Sequence, residues 1–141
     1  RVSQANVSVN GQKISEIGKG VLVLIGIKTN DTLKEADVLI EKLAKLRIMS
    51  DTEGKMNLTV KEVKGEILLV SQFTLYADTK GGNRPSFTQA GKPEAAKFLY
   101  SYFIEKLKAI MMPVPLKTGE FGADMKISAE LDGPVTLIIE Q

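Results

Sequence analysis

The amino-acid sequence predicts an α+β domain, a barrel-like sheet with two main helices packed on one side. Short apolar, β-branched runs bounded by glycine and turn residues supply the strands. Two longer segments carry apolar residues at helical spacing, and strands precede, separate and follow them. At 141 residues, 43% hydrophobic and 26% charged, the chain suits a single domain over residues 1–141 with one core. No internal repeat or low-complexity linker divides it.

The elements follow in order. The chain opens on Arg1 rather than Met, so a few preceding residues completing the first strand are expected. Val7 and Val9 alternate with polar residues up to Asn10-Gly11, a dipeptide that favours a tight hairpin turn. A second strand is expected over about 13–17. Val21 to Ile27, bounded by glycines, reads as a buried central strand. Thr32 and Glu35 have the spacing of a capping box, in which hydroxyl and carboxylate satisfy free N–H groups at a helix start. Leu33, Ala36, Ile40, Leu43 and Arg47 continue at helical spacing, and Leu39 widens the apolar face. Residues 51–55 read as a turn, and Ile67 to Val70 as a short strand running into Ser71. Asp78 to Lys92, with Gly81, Gly82, Pro85 and Gly91, reads as a loop. Pro93 suits the first position of a second helix, where its missing N–H costs nothing. Ala96, Leu99, Phe103, Leu107 and Ile110 give that helix its apolar stripe, and Pro113 and Pro115 end it. Two strands close the chain, about 124–129 and 135–139.

Composition removes most familiar chemistry. There is no histidine and no cysteine. A Ser-His-Asp or Cys-His hydrolase is therefore impossible within one chain, as are disulfides and zinc sites built on His or Cys. Only carboxylates remain as metal ligands, and neither a metal nor a cofactor is expected. The longest apolar run, Val21 to Ile25, is too short to cross a bilayer, and no signal-peptide pattern opens the chain. A cytosolic address is the default expectation. Lys and Arg number 19 against 17 Asp and Glu, a net charge of +2. That is a weak footprint for duplex nucleic acid, yet compatible with an enzyme that grips only the end of an RNA.

Two constellations stand out. Ser71-Gln72-Phe73-Thr74-Leu75 sits at the C-terminal end of an apolar strand, and its plain alternative is a strand edge whose hydroxyls bond backbone. Asp132-Gly133-Pro134-Val135-Thr136 reads by itself as an ordinary turn before a strand. Together they resemble the paired signatures SQxxL and NxGPVT of the D-aminoacyl-tRNA deacylase family. Arg84-Pro85-Ser86-Phe87, the stretch Thr118 to Met125, Gly54 to Leu58 and Arg47-Ile48 are similar to the family as well. The resemblance therefore covers essentially the whole chain in the family's order. One departure is Leu131, which stands where the second signature usually has Asn, so no side-chain amide is available there.

The resemblance implies a homodimer with active sites at the subunit interface, acting on the 3′ acceptor end of aminoacyl-tRNA. It implies that the Gly133–Pro134 peptide is cis and enters the other subunit's pocket. There its backbone carbonyls contact the substrate amino group and leave no room for an L side chain. Physics alone favours trans, since only about 5–6% of X-Pro bonds in folded proteins are cis. Arg1 matches an arginine that supports the Gly-Pro segment in the family; the plain alternative is a solvated charge.

Chemistry without histidine is reasonable for such a substrate. An aminoacyl ester is already reactive, so a positioned water or the ribose 2′-hydroxyl can replace a strong protein nucleophile. Backbone N–H groups aimed at the developing oxyanion add on the order of 10²–10³ in rate per donor. Thr74 has no evident base beside it. The catalytic segment Ser71, Gln72, Phe73 and Thr74 is therefore read as pocket-building, with N–H groups around Phe73 on the carbonyl or ribose. Gly133, Pro134 and Arg1 belong to substrate binding. Lys80 and Arg84 either meet acceptor-stem phosphates or decorate a solvated loop. Phe121 and Met125 either line an adenine pocket or pack in the core. Two rival readings are a related editing deacylase acting on an L-aminoacyl-tRNA and a non-catalytic RNA-binding module.

Overall fold

A computed structural model describes residues Arg1–Gln141. Its elements in chain order are β1 (Val2–Val9), β2 (Gln12–Ile17), β3 (Gly20–Ile25), α1 (Leu33–Lys45), β4 (Met49–Ser50) and β5 (Met56–Leu58). They continue with β6 (Glu66–Ser71), a 3₁₀ turn (Phe73–Tyr76), α2 (Pro93–Met111), β7 (Leu116–Thr118) and β8 (Met125–Leu131). Asn10 and Gly11 turn the first hairpin with φ of 50° and 77°, the left-handed values that a two-residue primed turn requires.

β1 is the spine of the sheet. It pairs antiparallel with β2 and β8 and touches β3 at one pair, Val2 opposite Gly20. From there β3 runs parallel to β6, Gly20 opposite Glu66 through Ile25 opposite Ser71, and β7 lies along the other edge of β6. The Ser15 hydroxyl on β2 donates to the Thr118 carbonyl on β7, so the sheet curls into a nearly closed barrel. β4 and β5 form a separate ribbon.

Both helices lie on one side of the barrel. α1 begins with the expected capping box: the Thr32 hydroxyl accepts the Lys34 N–H at 3.2 Å, and the Glu35 carboxylate accepts the Thr32 N–H at 2.7 Å. α2 begins on Pro93. A polar tie joins the two helices. The Tyr102 hydroxyl donates to Asp37 at 2.7 Å, and the Lys106 ammonium lies 2.8 Å from the same carboxylate. Those bonds, Lys106 foremost, hold the Asp37 carboxyl below its ordinary value.

β6 organises the core because both its faces are covered. Ile67 and Leu69 face the helices, packed with Ile40, Phe103 and Leu107. Leu68 and Val70 face the barrel interior with Val2, Ala5, Val7 and Ile17. This two-sided burial explains the uninterrupted apolar run Ile67 to Val70.

Four sequence expectations need correction. β3 stops at Ile25, short of Ile27, and is not buried throughout. Leu24 is 41% exposed, because β1 covers β3 only at Gly20. Arg47 lies beyond the end of α1, where its Nε donates to the Asn57 carbonyl at 2.6 Å. Ile110 falls outside the buried stripe of α2, which includes Tyr100 instead. β8 runs on to Leu131, and no strand forms over 135–139. An extended segment becomes a strand only when a neighbouring edge takes its N–H and C=O groups. That stretch has no such ladder, and Ile138 is 89% exposed. No helix is long and apolar enough to cross a membrane.

Candidate active site

The first signature leaves the sheet where β6 ends. The Gln72 N–H donates to the Ile25 carbonyl at 2.7 Å, extending the pairing with β3 by one bond. The backbone then tightens into the 3₁₀ turn, closed by Leu75 N–H to Gln72 at 3.3 Å and Ala77 N–H to Thr74 at 3.1 Å. The first N–H groups of that turn, on Phe73 and Thr74, lie ahead of its own hydrogen bonds, as at any helix start. The Gln72 side-chain amide donates to the Thr74 hydroxyl. Thr74 thus has an amide for a partner where a nucleophile needs a base.

A loop flanks this turn. Phe73, 58% exposed, meets Phe87 edge-on with ring centroids 5.1 Å apart. Asp78 and Ser86 exchange backbone hydrogen bonds at 2.8 Å and close the loop that carries Lys80 and Arg84, both exposed. The two cations therefore sit on a loop anchored to the signature through an aromatic pair.

The chain between β7 and β8 packs by the last residues of β6. The Gly119 N–H donates to the Leu69 carbonyl at 3.0 Å. A Cβ on Gly119 would stand 2.6 Å from Met125 Sδ and 3.4 Å from Val70, so the glycine lets Met125 close against β6. The Phe121 ring lies 5.7 Å from that of Tyr100. Phe121 packs on the larger core cluster and Met125 on the smaller, and each keeps part of its surface open. Tyr76 ends the 3₁₀ turn; burial raises its phenol above the ordinary value, and the charges of Asp31 and Glu140 add to that.

Gly133 and Pro134 are elsewhere. Met125 and Leu131 are the two ends of the seven-residue strand β8, which sets them about 20 Å apart. Beyond Leu131 the Gly133–Pro134 peptide is cis, with Gly133 at φ 128°. A Cβ there would meet the Val135 nitrogen at 2.9 Å and its Cγ2 at 2.8 Å. Arg1 ties this end down. Its Nε sits 3.0 Å from the Asp132 carboxylate and donates to the Asp132 carbonyl at 3.1 Å. Its Nη1 donates to the Ile48 carbonyl and the Ser50 hydroxyl, both at 3.1 Å, and its main-chain nitrogen donates to Val135 at 2.9 Å. At 11% side-chain exposure, Arg1 is no solvated charge.

The chain thus sets the Ser71–Thr74 turn beside the loop of Lys80 and Arg84, with Gly119 and Met125 packed by Leu69 and Val70 just before that turn. It leaves Gly133, Pro134 and Arg1 at the far end of β8. Tyr100 and Gly119 were not singled out as site residues in the sequence. Tyr100 was detectable by its spacing, four residues after Ala96 on the buried face of α2; Gly119 carried no such signal. No group of three or more acidic side chains is placed to hold a metal ion.

A nearly closed barrel with two helices on one side, a strand-end Ser-Gln turn and a displaced Gly-Pro bulge define an α+β domain of one type. The family model D-Tyr-tRNA(Tyr) deacylase matches residues 1–140, and the chain belongs to that family. It is 55% identical over 140 residues to the D-aminoacyl-tRNA deacylase of Finegoldia magna, covering 99% of this chain and 93% of that relative. The D-aminoacyl-tRNA deacylase of Thermosipho melanesiensis is 51% identical over 140 residues, with the same coverage. A solved structure of the c-Myc DNA Unwinding Element Binding Protein superposes with a TM-score of 0.94 at 42% identity, covering 100% of this chain and 95% of that one. A solved probable eukaryotic D-amino acid tRNA deacylase shares the fold, with a TM-score of 0.76 at 18% identity over 92% of this chain and 89% of that one.

Proposed function

We propose that this chain hydrolyses the ester bond of D-aminoacyl-tRNA, releasing the D-amino acid and free tRNA, and so proofreads chirality in translation. The observation that carries the reading is the open N–H pair of Phe73 and Thr74 beside a Thr74 hydroxyl with no base. Such a site stabilises an oxyanion rather than supplying a nucleophile. Water attacks the ester carbonyl, the N–H groups hold the tetrahedral oxygen, and the ribose 3′ oxygen leaves. The neighbouring 2′-hydroxyl helps to orient the water and to protonate the leaving oxygen. Phe121 and Met125 hold the terminal adenine, while Lys80 and Arg84 meet acceptor-stem phosphates.

The length of β8 supports a composite site. Gly133–Pro134 reaches a Ser71–Thr74 turn only by entering that of a second copy, so the working unit is a homodimer with two interface sites. The Gly133 and Pro134 carbonyls accept from the substrate ammonium in charge-assisted bonds. With the amino group fixed, an L side chain swings into backbone, a block that no side-chain change relieves. Achiral glycine has nothing to clash, so glycyl-tRNA is also cleaved.

The test compares D-Tyr-tRNA, L-Tyr-tRNA and Gly-tRNA, with D-Tyr esterified at the 3′ position of a 2′-deoxyadenosine end as a fourth substrate. The first and third are expected to be cleaved, the second spared and the fourth greatly slowed. Faster cleavage of the L-substrate would replace the reading with L-specific editing. Tight tRNA binding without turnover would make the chain an RNA-binding module.

A further inference from the structure

We infer that Tyr100 is a positioning residue for the reaction, its phenol bracing the β7 side of β6 just before the strand becomes the catalytic turn. The inference rests on the proposed deacylase reading. Along β6, successive N–H groups alternate between neighbours. Those of Glu66 and Gln72 donate toward the β3 side, to Lys19 and Ile25, and that of Ile67 donates toward the β7 side, to Pro115. The same alternation turns the N–H of Ser71 to the β7 side, where the pairing ends with Thr118 opposite Leu69 and the last backbone bond is the Gly119 N–H to the Leu69 carbonyl at 3.0 Å. Past that bond the support comes from α2. The Tyr100 hydroxyl is a second donor to the Leu69 carbonyl, at 2.9 Å, and it lies on the side to which the Ser71 N–H turns.

The phenol is well suited to this place. Tyr100 is 3% exposed, and a buried hydroxyl needs both a donor and an acceptor role to be satisfied. Burial pushes its pKa up to about 12, with the Ser71 N–H opposing, so it stays protonated and able to donate at neutral pH. Its ring meanwhile carries Phe121. One residue thereby braces β6 at Leu69, two residues before Ser71 and the turn that aims the Phe73 and Thr74 N–H groups, and supports Phe121.

The two contacts are separable. Tyr100→Phe keeps the ring under Phe121 and removes the hydroxyl from Leu69 and Ser71. Loss of oxyanion aim without loss of the support for Phe121 lowers kcat by about 10-fold to 100-fold on D-Tyr-tRNA while KM stays within about twofold. Tyr102→Phe is the control on the same helix: it breaks the tie to Asp37 and Lys106 and leaves kcat unchanged. Wild-type kcat in Tyr100→Phe would overturn the assignment, as would an equal loss of kcat in Tyr102→Phe. A second measurement needs no variant. In the wild-type protein the Ser71 amide exchanges with deuterium at least about 10-fold more slowly than the Phe73 amide; equal rates would also overturn it. An inactive wild-type protein would instead refute the deacylase reading, while the exchange measurement would still decide whether the phenol holds Ser71.

Discussion

The two ends of β8 are built by opposite means. At Met125 the strand is fixed by packing: a thioether closes against a glycine and a buried valine. At Gly133 it is fixed by polar ties, nearly all from Arg1, around a backbone in the left-handed range. Packing holds a wall in place through many weak contacts and yields gradually when one is changed. A few directional bonds on an exposed bulge hold a shape that depends on each of them. The end proposed to bind the chain's own substrate is the first kind, and the end proposed to serve a partner's site is the second. A segment outside the core cannot draw its rigidity from packing, so that rigidity has to come from hydrogen bonds and backbone restriction.

The contrast is open to direct attack, beginning where the effect should be greatest. Gly133→Ala places a Cβ against the Val135 nitrogen at a φ of 128°. Such strain costs roughly 1–3 kcal/mol, and relieving it displaces the bulge. D-Tyr-tRNA turnover should fall about 100-fold or more, while the melting temperature changes little because the segment is outside the core. Retained turnover would show that the bulge plays no part in the reaction.

Arg1→Ala comes next. It removes the ties to Asp132, Ile48 and Ser50 but not the backbone bond to Val135. Losing charge-assisted bonds from a largely buried guanidinium should cost about 2 kcal/mol in stability, and turnover should drop about tenfold as the bulge loosens. Denaturant unfolding and steady-state kinetics would check this. Added salt should reduce wild-type turnover through this pair while leaving the variant less affected.

The packed end should give the smallest response. Gly119→Ala meets the flexible end of Met125 at 2.6 Å, which overpacks the wall by about 1–2 kcal/mol. KM for the tRNA should rise a few-fold with kcat nearly unchanged. The double variant with Met125→Ala should recover part of the stability, because the clashing sulfur is gone. A fall in kcat larger than that of Arg1→Ala would reverse the ranking of the two ends.

How far each feature could be read from the chain follows from how local its cause is. Thr32 and Glu35 announced a helix start because a capping box needs only four consecutive residues. Asn10-Gly11 announced a hairpin for the same reason. The Ser71–Leu75 and Gly133–Thr136 segments were legible as motifs, and with them the family. Val135 to Ile139 was legible as strand-forming, yet strand propensity is only a readiness to pair, and one subunit offers that stretch no edge. Leu24 and Ile110 were read as buried from pattern alone. Their exposure depends on which neighbours cover β3 and α2, and no spacing within the segment encodes that.

By itself the sequence determined the class of fold, the two helices with the capping box of one and the proline start of the other, the absence of any histidine- or cysteine-based chemistry, and the two segments that carry the family likeness. Only the tertiary structure decided that one segment leaves the end of β6 while the other lies beyond the far end of β8. It alone turned Arg1 from a terminal charge into a clamp, and placed the Tyr100 hydroxyl against the backbone of β6. The physical reason is range. Caps and turns are settled by neighbours along the chain, whereas a clamp or a borrowed hydrogen bond joins residues more than thirty positions apart, such as Tyr100 and Leu69 or Arg1 and Asp132, and exists only once strand register has brought them together.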